Sequence, residues 1–143
     1  MVQVLRTVYD AMISHVLQTP TEESCGLLSG RGDTITRLFQ TPNVAENRAS
    51  RYEAEPLEVR RILEEIDDAG LEHLGIYHSH PKSRAYPSAT DRRLAAYDVW
   101  YVVISLEDPR HPVAKAFQIQ KAHPADEEAV VREEPIELVD RPA

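Results

Sequence analysis

The sequence is short of the residues that cross-link small domains. It has one cysteine, Cys25, in 143 residues. A single cysteine forms no internal disulfide and cannot supply a cysteine-rich zinc finger, so neither kind of cross-link is expected to hold this fold together. A reducing compartment suits this composition, and the prediction is a cytoplasmic protein. The thiol of Cys25 is expected to act as a small buried hydrophobic group rather than as a redox centre or a metal ligand.

Long apolar runs and an excess of positive charge are also absent. The longest apolar stretch, residues 99–104, is far below the length of about 20 residues that a membrane helix needs. The N-terminal residues lack the charged and apolar regions of a signal peptide. Lysine and arginine number 16 against 24 acidic residues, a formal charge of −8. This balance argues against nucleic acid or an anionic membrane as the main partner.

What is present is enough apolar sequence for one core. Hydrophobic residues make up 42% of the chain, and a chain of this length favours a single domain. Apolar periodicity and turn residues predict helices at 7–17, 56–68 and 88–98, and strands at 25–30, 35–39, 74–80, 99–104, 113–120 and 136–139, with a further candidate strand at 51–55. The order of these elements indicates an α/β or mixed α+β domain.

The most informative segment is His78-Ser79-His80, at the end of a predicted strand. Residues two apart in a strand point to the same face, so the two imidazoles can lie side by side. Asp91, in the first turn of the following predicted helix, can add a carboxylate oxygen. Catalytic zinc is commonly held by three protein ligands with a fourth position left open, and these residues would supply two nitrogen ligands and one oxygen ligand.

A hydrolytic zinc site also needs a proton carrier and a group that stabilises negative charge. Glu22 and Glu23, just ahead of the strand at Cys25, offer a carboxylate for proton transfer. Ser88 offers a hydroxyl group to a developing oxyanion. Each residue also has a simpler interpretation, because adjacent glutamates are commonly solvated and Ser88 with Asp91 is a helix-capping pattern.

Together these residues resemble the motif of the JAMM (MPN+) metalloprotease family, a glutamate followed by His-Ser/Thr-His-Pro and then Ser-x-x-Asp. The chain matches every position of that motif, and its segment Glu-Ser-Cys-Gly-Leu-Leu-Ser-Gly resembles the glutamate-bearing segment of the family. The resemblance implies a mixed central sheet flanked by helices. It also implies that His78, His80 and Asp91 bind one zinc ion, that Glu23 is the general acid and base, and that Ser88 stabilises the intermediate.

The resemblance is strongest to the short, stand-alone prokaryotic members of the family. These are associated with ubiquitin-like β-grasp proteins, including sulfur carriers that end in Gly-Gly, from which a conjugated protein or a single amino acid such as cysteine is released. The expected activity is therefore that of a zinc-dependent peptidase or isopeptidase. The expected organisation is a metalloprotease domain over residues 1–125, followed by an acidic C-terminal segment at 126–143 that is part of the same domain or packs on it.

Two alternatives remain at this stage. A non-catalytic binding module of the MPN type would keep the fold without its metal ligands, and the intact motif counts against it. A zinc nucleoside deaminase needs a His-x-Glu motif and two cysteines spaced Pro-Cys-x-x-Cys, which a chain with one cysteine cannot supply. The loop at 81–87 joins the two ligand-bearing elements and is the predicted wall of a substrate groove.

Overall fold

The computed structural model describes residues 1–126 and 128–142, and within them it contains three helices and eight strands. The helices are α1 (Arg6–Gln18), α2 (Pro56–Asp68) and α3 (Ala89–Leu94). The strands are β1 (Val2–Leu5), β2 (Cys25–Arg31), β3 (Thr34–Thr41), β4 (Glu72–His80), β5 (Trp100–Ser105), β6 (Val113–Gln120), β7 (Val130–Glu134) and β8 (Ile136–Val139). No helix in these residues is long and apolar enough to cross a membrane.

All of these strands join one mixed sheet in the order β7-β6-β5-β4-β2-β3-β1-β8. The pairs β1/β3, β1/β8 and β4/β5 are parallel, and the other pairs are antiparallel. The mixed α+β fold predicted from the sequence is confirmed. β4, which ends in the two histidines, lies between β2 and β5 in the middle of the sheet, so the site is built on a strand that is paired on both sides.

The two faces of the sheet bury different helices. On one face, called the α1 face here, Val8, Met12 and Val16 of α1 pack into a large apolar cluster. On the other, the α2 face, Ile62 and Ile66 of α2 pack against Leu27. In β2, Leu28 belongs to the cluster on the α1 face and its neighbour Leu27 to the cluster on the α2 face, as strand alternation requires.

Helix α2 shows how the local sequence sets its ends. Its bounds, 56 to 68, are those predicted. Pro56 fits the first turn, where its missing N–H would have no partner, and the Glu55 side chain accepts hydrogen bonds from the backbone N–H groups of Leu57 and Glu58. Gly70 follows the helix with a φ of 69°, a conformation that glycine adopts without strain.

Several other element predictions were wrong. Helix α3 ends at Leu94 rather than at position 98, because it buries no side chain and the Tyr101 hydroxyl bonds the backbone N–H and C=O of Tyr97 instead. Residues 51–55 do not form a regular strand, since only an isolated bridge joins Asn43 to Ala54. Strands β1 and β7 were not predicted. Helix α1 begins at Arg6, one residue before the predicted start.

The C-terminal segment contributes both edges of the sheet. β7 pairs with β6, and β8 pairs in parallel with β1. The predicted acidic segment at 126–143 includes residues 127 and 143, which lie outside the described residues.

Candidate metal centre

The C-terminal end of β4 presents the two histidines on the α2 face. Tyr77 faces the opposite layer, where its hydroxyl lies 2.6 Å from Nδ1 of His15 on α1. Alternation then turns His78 and His80 away from α1. Both histidines are almost completely buried. The spacing of two residues between the histidines therefore places both imidazoles on one face of the sheet, as predicted.

Helix α3 brings Asp91 to these histidines. The Nε2 atoms of His78 and His80 lie 3.1 Å apart, and Oδ2 of Asp91 lies 3.0 Å from the first and 3.1 Å from the second. Ligand atoms about 2.0–2.1 Å from a tetrahedral zinc ion lie about 3.3 Å from one another, close to this spacing. Together with Glu23, these residues form what is called the ligand cluster here, in which the candidate ligand atoms all lie within 4.8 Å of one another.

The tautomer of His80 suits metal binding. Its Nδ1 lies 3.0 Å from the backbone carbonyl oxygen of Arg84, a pure acceptor, so Nδ1 carries the hydrogen. When the imidazole is neutral, Nε2 then presents its lone pair to Asp91 and His78. This arrangement, in which the second ring nitrogen donates to a carbonyl group, is the usual support of a metal-bound histidine.

The charges of the carboxylate and imidazole groups in the cluster stabilise one another. Burial raises the pKa of Asp91, but hydrogen bonds and charge from His78, with hydrogen bonds from His80 and the Ser88 N–H, outweigh it and hold this pKa well below its usual range. For His80, burial by itself lowers the pKa. The hydrogen bonds to Asp91 and to the Arg84 carbonyl outweigh this effect, so the pKa of His80 is raised. The cluster thus favours positive charge where the three ligand atoms meet.

Glu23 faces the cluster without a partner of its own. Its side chain is buried, and Oε1 has no hydrogen-bond partner among the described residues. Burial raises the pKa of Glu23 to about 7; nearby His80 opposes the shift and Asp91 adds to it. A buried, unpaired carboxylate with a pKa near neutrality is suited to take up and release a proton, so the residues present fit a hydrolytic metal site.

The neighbouring glutamate lies in a different environment. Glu22 is 41% exposed and pairs with Arg48 at 3.5 Å. Of the adjacent acidic pair, the structure therefore places Glu23 in the ligand cluster and Glu22 at the surface.

Ser88 both caps α3 and supports Asp91. Its Oγ accepts from the backbone N–H of Asp91, and its own N–H donates to Oδ2 of Asp91 at 2.8 Å. The capping interpretation of this pair is thus correct for the backbone. A serine oxygen that accepts one hydrogen bond still has its O–H to donate, and Ser88 is exposed, so the cap leaves the hydroxyl hydrogen accessible.

Sequence reasoning missed residues that align the elements around the cluster. Ser79, between the two histidines, accepts a hydrogen bond through Oγ from the N–H of Ser24, while its N–H donates to the Ser24 carbonyl. These bonds tie the segment that bears Glu23 to the end of β4. The position of Ser79 between two histidines was the signal that the sequence offered. Tyr52, whose ring stacks on His78, and Asn43, which donates to the Glu23 carbonyl, were also missed, because both lie on an irregular loop that propensity does not predict.

Cys25 is adjacent to the cluster in sequence but does not belong to it. It is completely buried, its Sγ lies 3.1 Å from Oγ1 of Thr41, and burial raises the pKa of the thiol to about 11. Such a thiol is a poor nucleophile at neutral pH. The interpretation of Cys25 as a small packed residue agrees with this environment.

A cleft of about 360 Å³ opens beside Asp91 on the α2 face. Its walls are mainly apolar and aromatic side chains from β2, β4, β5, α2, α3 with the residues after it, and the loop before α2. Among the described residues, the lining does not include the loop at 81–87, so the predicted wall is not part of this cleft. The lining residues are Cys25, Gly26, Leu27, Arg51, Tyr52, Ala54, Pro56, Val59, His73, Ile76, Thr90, Asp91, Leu94, Ala96, Tyr97 and Tyr101.

Comparison with known proteins gives consistent matches over most of the chain. Residues 5–120 match the family model described as prokaryotic homologs of the JAB domain. A desampylase from Haloferax volcanii is 39% identical over 107 residues, which cover 71% of this chain and 77% of that protein. A CysO-cysteine peptidase from Mycobacterium tuberculosis is 31% identical over 135 residues, which cover 92% and 87% of the two chains.

A solved structure shares the architecture almost end to end. The solution structure of a protein from Desulfitobacterium hafniense superimposes with a TM-score of 0.83 at 33% sequence identity, covering 99% of this chain and 94% of that one. The fold described above is thus also that of an experimentally determined protein.

Proposed function

The chain belongs to the family of prokaryotic homologs of the JAB domain, and on that premise we propose that it is a zinc-dependent peptidase or isopeptidase. Its substrate is a ubiquitin-like or sulfur-carrier β-grasp protein, and the bond hydrolysed follows a C-terminal Gly-Gly. The single observation that carries this proposal is the convergence of Glu23, His78, His80 and Asp91 within 4.8 Å. The names of the two relatives, a desampylase and a CysO-cysteine peptidase, support the substrate class.

The donor set favours zinc. His78 and His80 supply two imidazole nitrogens and Asp91 supplies one carboxylate oxygen, a combination typical of catalytic zinc sites with three protein ligands. When bound, zinc would supply Lewis acidity, which lowers the pKa of water to about 7 and polarises a scissile carbonyl group.

The residues around the metal ligands would handle the protons. Glu23 takes a proton from water at its unpaired Oε1 and later gives it to the leaving amine. The exposed hydroxyl of Ser88 donates a hydrogen bond to the oxygen that gains negative charge. Asp91 keeps its position during these steps because the N–H of Ser88 holds its Oδ2.

The cleft beside Asp91 is the proposed site for the substrate tail. Its volume lies in the range of about 300–1,000 Å³ that is usual for ligand pockets. An extended tail placed there would reach the cluster at the Asp91 end, and glycines next to the scissile bond would let the backbone approach most closely because they have no Cβ. The apolar walls would exclude water from the rest of the tail.

Metal content and cleavage test the proposal together. The purified protein should contain one equivalent of zinc, and His78→Ala should lose it. The zinc-loaded protein should release X from fusions that end in Gly-Gly-X, and much more slowly from matched fusions with valine in place of the last glycine. An active protein without metal would refute the ligand set and the mechanism. Equal cleavage of the glycine and valine fusions would refute only the requirement for a narrow tail.

The non-catalytic alternative predicts a different outcome. A binding module would bind the β-grasp protein and release nothing, with or without zinc. The unpaired buried Oε1 of Glu23 counts against it, because a binding module has no use for a desolvated carboxylate at this position.

A further inference from the structure

The two histidines of the ligand cluster are oriented by different means. Nδ1 of His80 donates to the Arg84 carbonyl at 3.0 Å. Nδ1 of His78 is buried and has no hydrogen-bond partner within residues 1–126 and 128–142. Metal-binding histidines almost always donate their second ring N–H to a carboxylate, a carbonyl group or water. No protein group among the described residues therefore sets the ring orientation of His78 through a hydrogen bond to Nδ1.

The ring of Tyr52 occupies the position from which such a contact can act. It stacks on the imidazole of His78 with a centroid separation of 4.4 Å and an angle of 24° between the planes. The ring of His80 meets the same imidazole edge-on, at 4.9 Å and 63°. A flat ring on the face of His78 resists rotation about its χ2 torsion, which would swing Nε2 away from Asp91.

Tyr52 lies on an irregular loop at 42–55, which is closed by backbone bonds such as that from the Val44 N–H to the Glu53 carbonyl and by the side chain of Asn43. The Nδ2 group of Asn43 donates to the carbonyl of Arg51 at 3.1 Å. Its Oδ1 accepts from the N–H groups of Ala45 and Glu53, both at 3.0 Å. These three bonds close the loop on both sides of Tyr52.

The same amide also reaches the proposed proton carrier. The second hydrogen of Asn43 Nδ2 donates to the backbone carbonyl of Glu23 at 2.8 Å. With two donors and two acceptor sites in use, the amide group is fully satisfied. Glu23 is fixed further by its N–H, which donates to the carbonyl of Arg48 on the same loop at 2.7 Å. The loop and the Glu23 segment are therefore one hydrogen-bonded unit.

We propose that Asn43 and Tyr52 are positioning residues for the metal centre. Asn43 fixes the loop at 42–55 to the Glu23 backbone by hydrogen bonds. The loop fixed in this way places the Tyr52 ring where it holds the His78 imidazole in its ligating orientation. Stacking replaces the hydrogen bond that His78 lacks. The part that concerns metal affinity rests on the proposed function, whereas the orientation of His78 can be tested without a metal.

The first test compares Tyr52→Ala with Tyr52→Phe in the full chain. Phenylalanine keeps the stacked ring and removes only the hydroxyl, so it is the matched control. Cobalt(II) affinity, measured against a competing chelator, should fall about 10–100-fold in Tyr52→Ala, the usual range for loss of a group that supports a ligand. The visible absorption spectrum of the bound cobalt should also change in this variant. Tyr52→Phe should keep both native values. Native affinity and spectrum in Tyr52→Ala would overturn the proposal.

The second test asks whether Asn43 acts through Tyr52. Asn43→Ala should weaken cobalt affinity in the otherwise native protein, and should weaken it no further in the Tyr52→Ala background. Such non-additivity is the signature of residues that act as one unit. Fully additive losses would show that Asn43 does not work through the stacked ring.

A metal-free measurement separates this proposal from the proposed function. In chelator-treated protein, nuclear Overhauser contacts of the His78 ring should report one orientation in the native chain and in Tyr52→Phe, and more than one in Tyr52→Ala. A native chain that binds neither zinc nor cobalt would refute the proposed function and leave this readout intact. One unchanged His78 orientation in Tyr52→Ala would refute the positioning role.

Discussion

The two faces of the sheet are packed to different degrees, and the candidate site lies on the less complete one. On the α1 face, the buried cluster runs from α1 across β1 to Ala116 of β6. On the α2 face, the buried cluster consists of Leu27, Ile62 and Ile66, with partly buried neighbours around it. Beside that smaller cluster, the sheet is lined by the cleft and the ligand cluster. One layer therefore supplies most of the apolar burial, while the other leaves room for chemistry.

The border between the two layers runs between adjacent residues. Leu28 joins the α1 cluster, while Leu27 packs on α2 and lines the cleft. In β4, Tyr77 contacts α1 while His78 points to Asp91. Strand alternation thus lets a rigid apolar layer position reactive groups one residue away. Substitutions on the two sides of this border should separate stability from catalysis.

The largest expected effect is loss of turnover on the α2 face with little change in stability. Glu23→Gln keeps the shape of the side chain but cannot accept a proton. We expect kcat to fall about 10²–10⁴-fold, the usual contribution of general acid–base catalysis, with zinc retained. Steady-state kinetics and metal analysis measure both. Glu22→Gln is the matched control and should remain active, because Glu22 is at the surface and pairs with Arg48. If Glu22→Gln were inactive and Glu23→Gln active, Glu22 rather than Glu23 would be the general acid and base.

The next effect is a stability loss that differs across the border. Leu28→Ala should lower the free energy of unfolding by about 2–5 kcal/mol and leave KM unchanged, because it opens a cavity in a closed apolar cluster. Leu27→Ala should cost less stability, since the space it leaves joins the existing cleft, and it should change KM. Urea unfolding and kinetics on both variants test this. A KM change confined to Leu28→Ala would contradict the assignment of the cleft to substrate.

The reactive side chains of the α2 face were easier to predict from the sequence than the loops and edge strands around them. The convergence of His78, His80 and Asp91 could be predicted from spacing, because a period of two and a helix start fix the directions of these side chains. The choice of Glu23 over Glu22 came from the resemblance to a family. Sequence spacing alone cannot make that choice, since either of two adjacent residues can face the cluster.

What sequence reasoning missed depends on contacts between distant segments. β1 and β7 are short and sit beside stronger signals, so their pairing with β3, β8 and β6 decides their structure. The loop at 42–55 has no period to detect, and it is held by the four hydrogen bonds of Asn43 and by backbone bonds within the loop. The stacking of Tyr52 on His78 joins residues 26 apart in the chain, and neither residue type indicates it alone.

The smallest expected effect is a pH-dependent loss of stability that belongs to the α2 face alone. Burial raises the pKa of Glu23 to about 7, above the usual value of 4.5. In metal-free protein, the folded state therefore binds this proton more tightly than the unfolded state between these two values. The contribution of protonated Glu23 to stability is complete below pH 4.5 and is lost as the pH rises through 7.

Urea unfolding of chelator-treated protein at pH 5 and pH 8 measures this loss. The native chain should lose more stability over that interval than Glu23→Gln, by the order of 1 kcal/mol after solvent screening is allowed for. His80 and the other titrating groups are present in both proteins, so the difference reports the titration of Glu23 together with its charge coupling to His80. Leu28→Ala, on the α1 face, should lose as much between the two pH values as the native chain does. An equal loss in the native chain and Glu23→Gln would mean that Glu23 titrates normally and that the α2 face does not desolvate it.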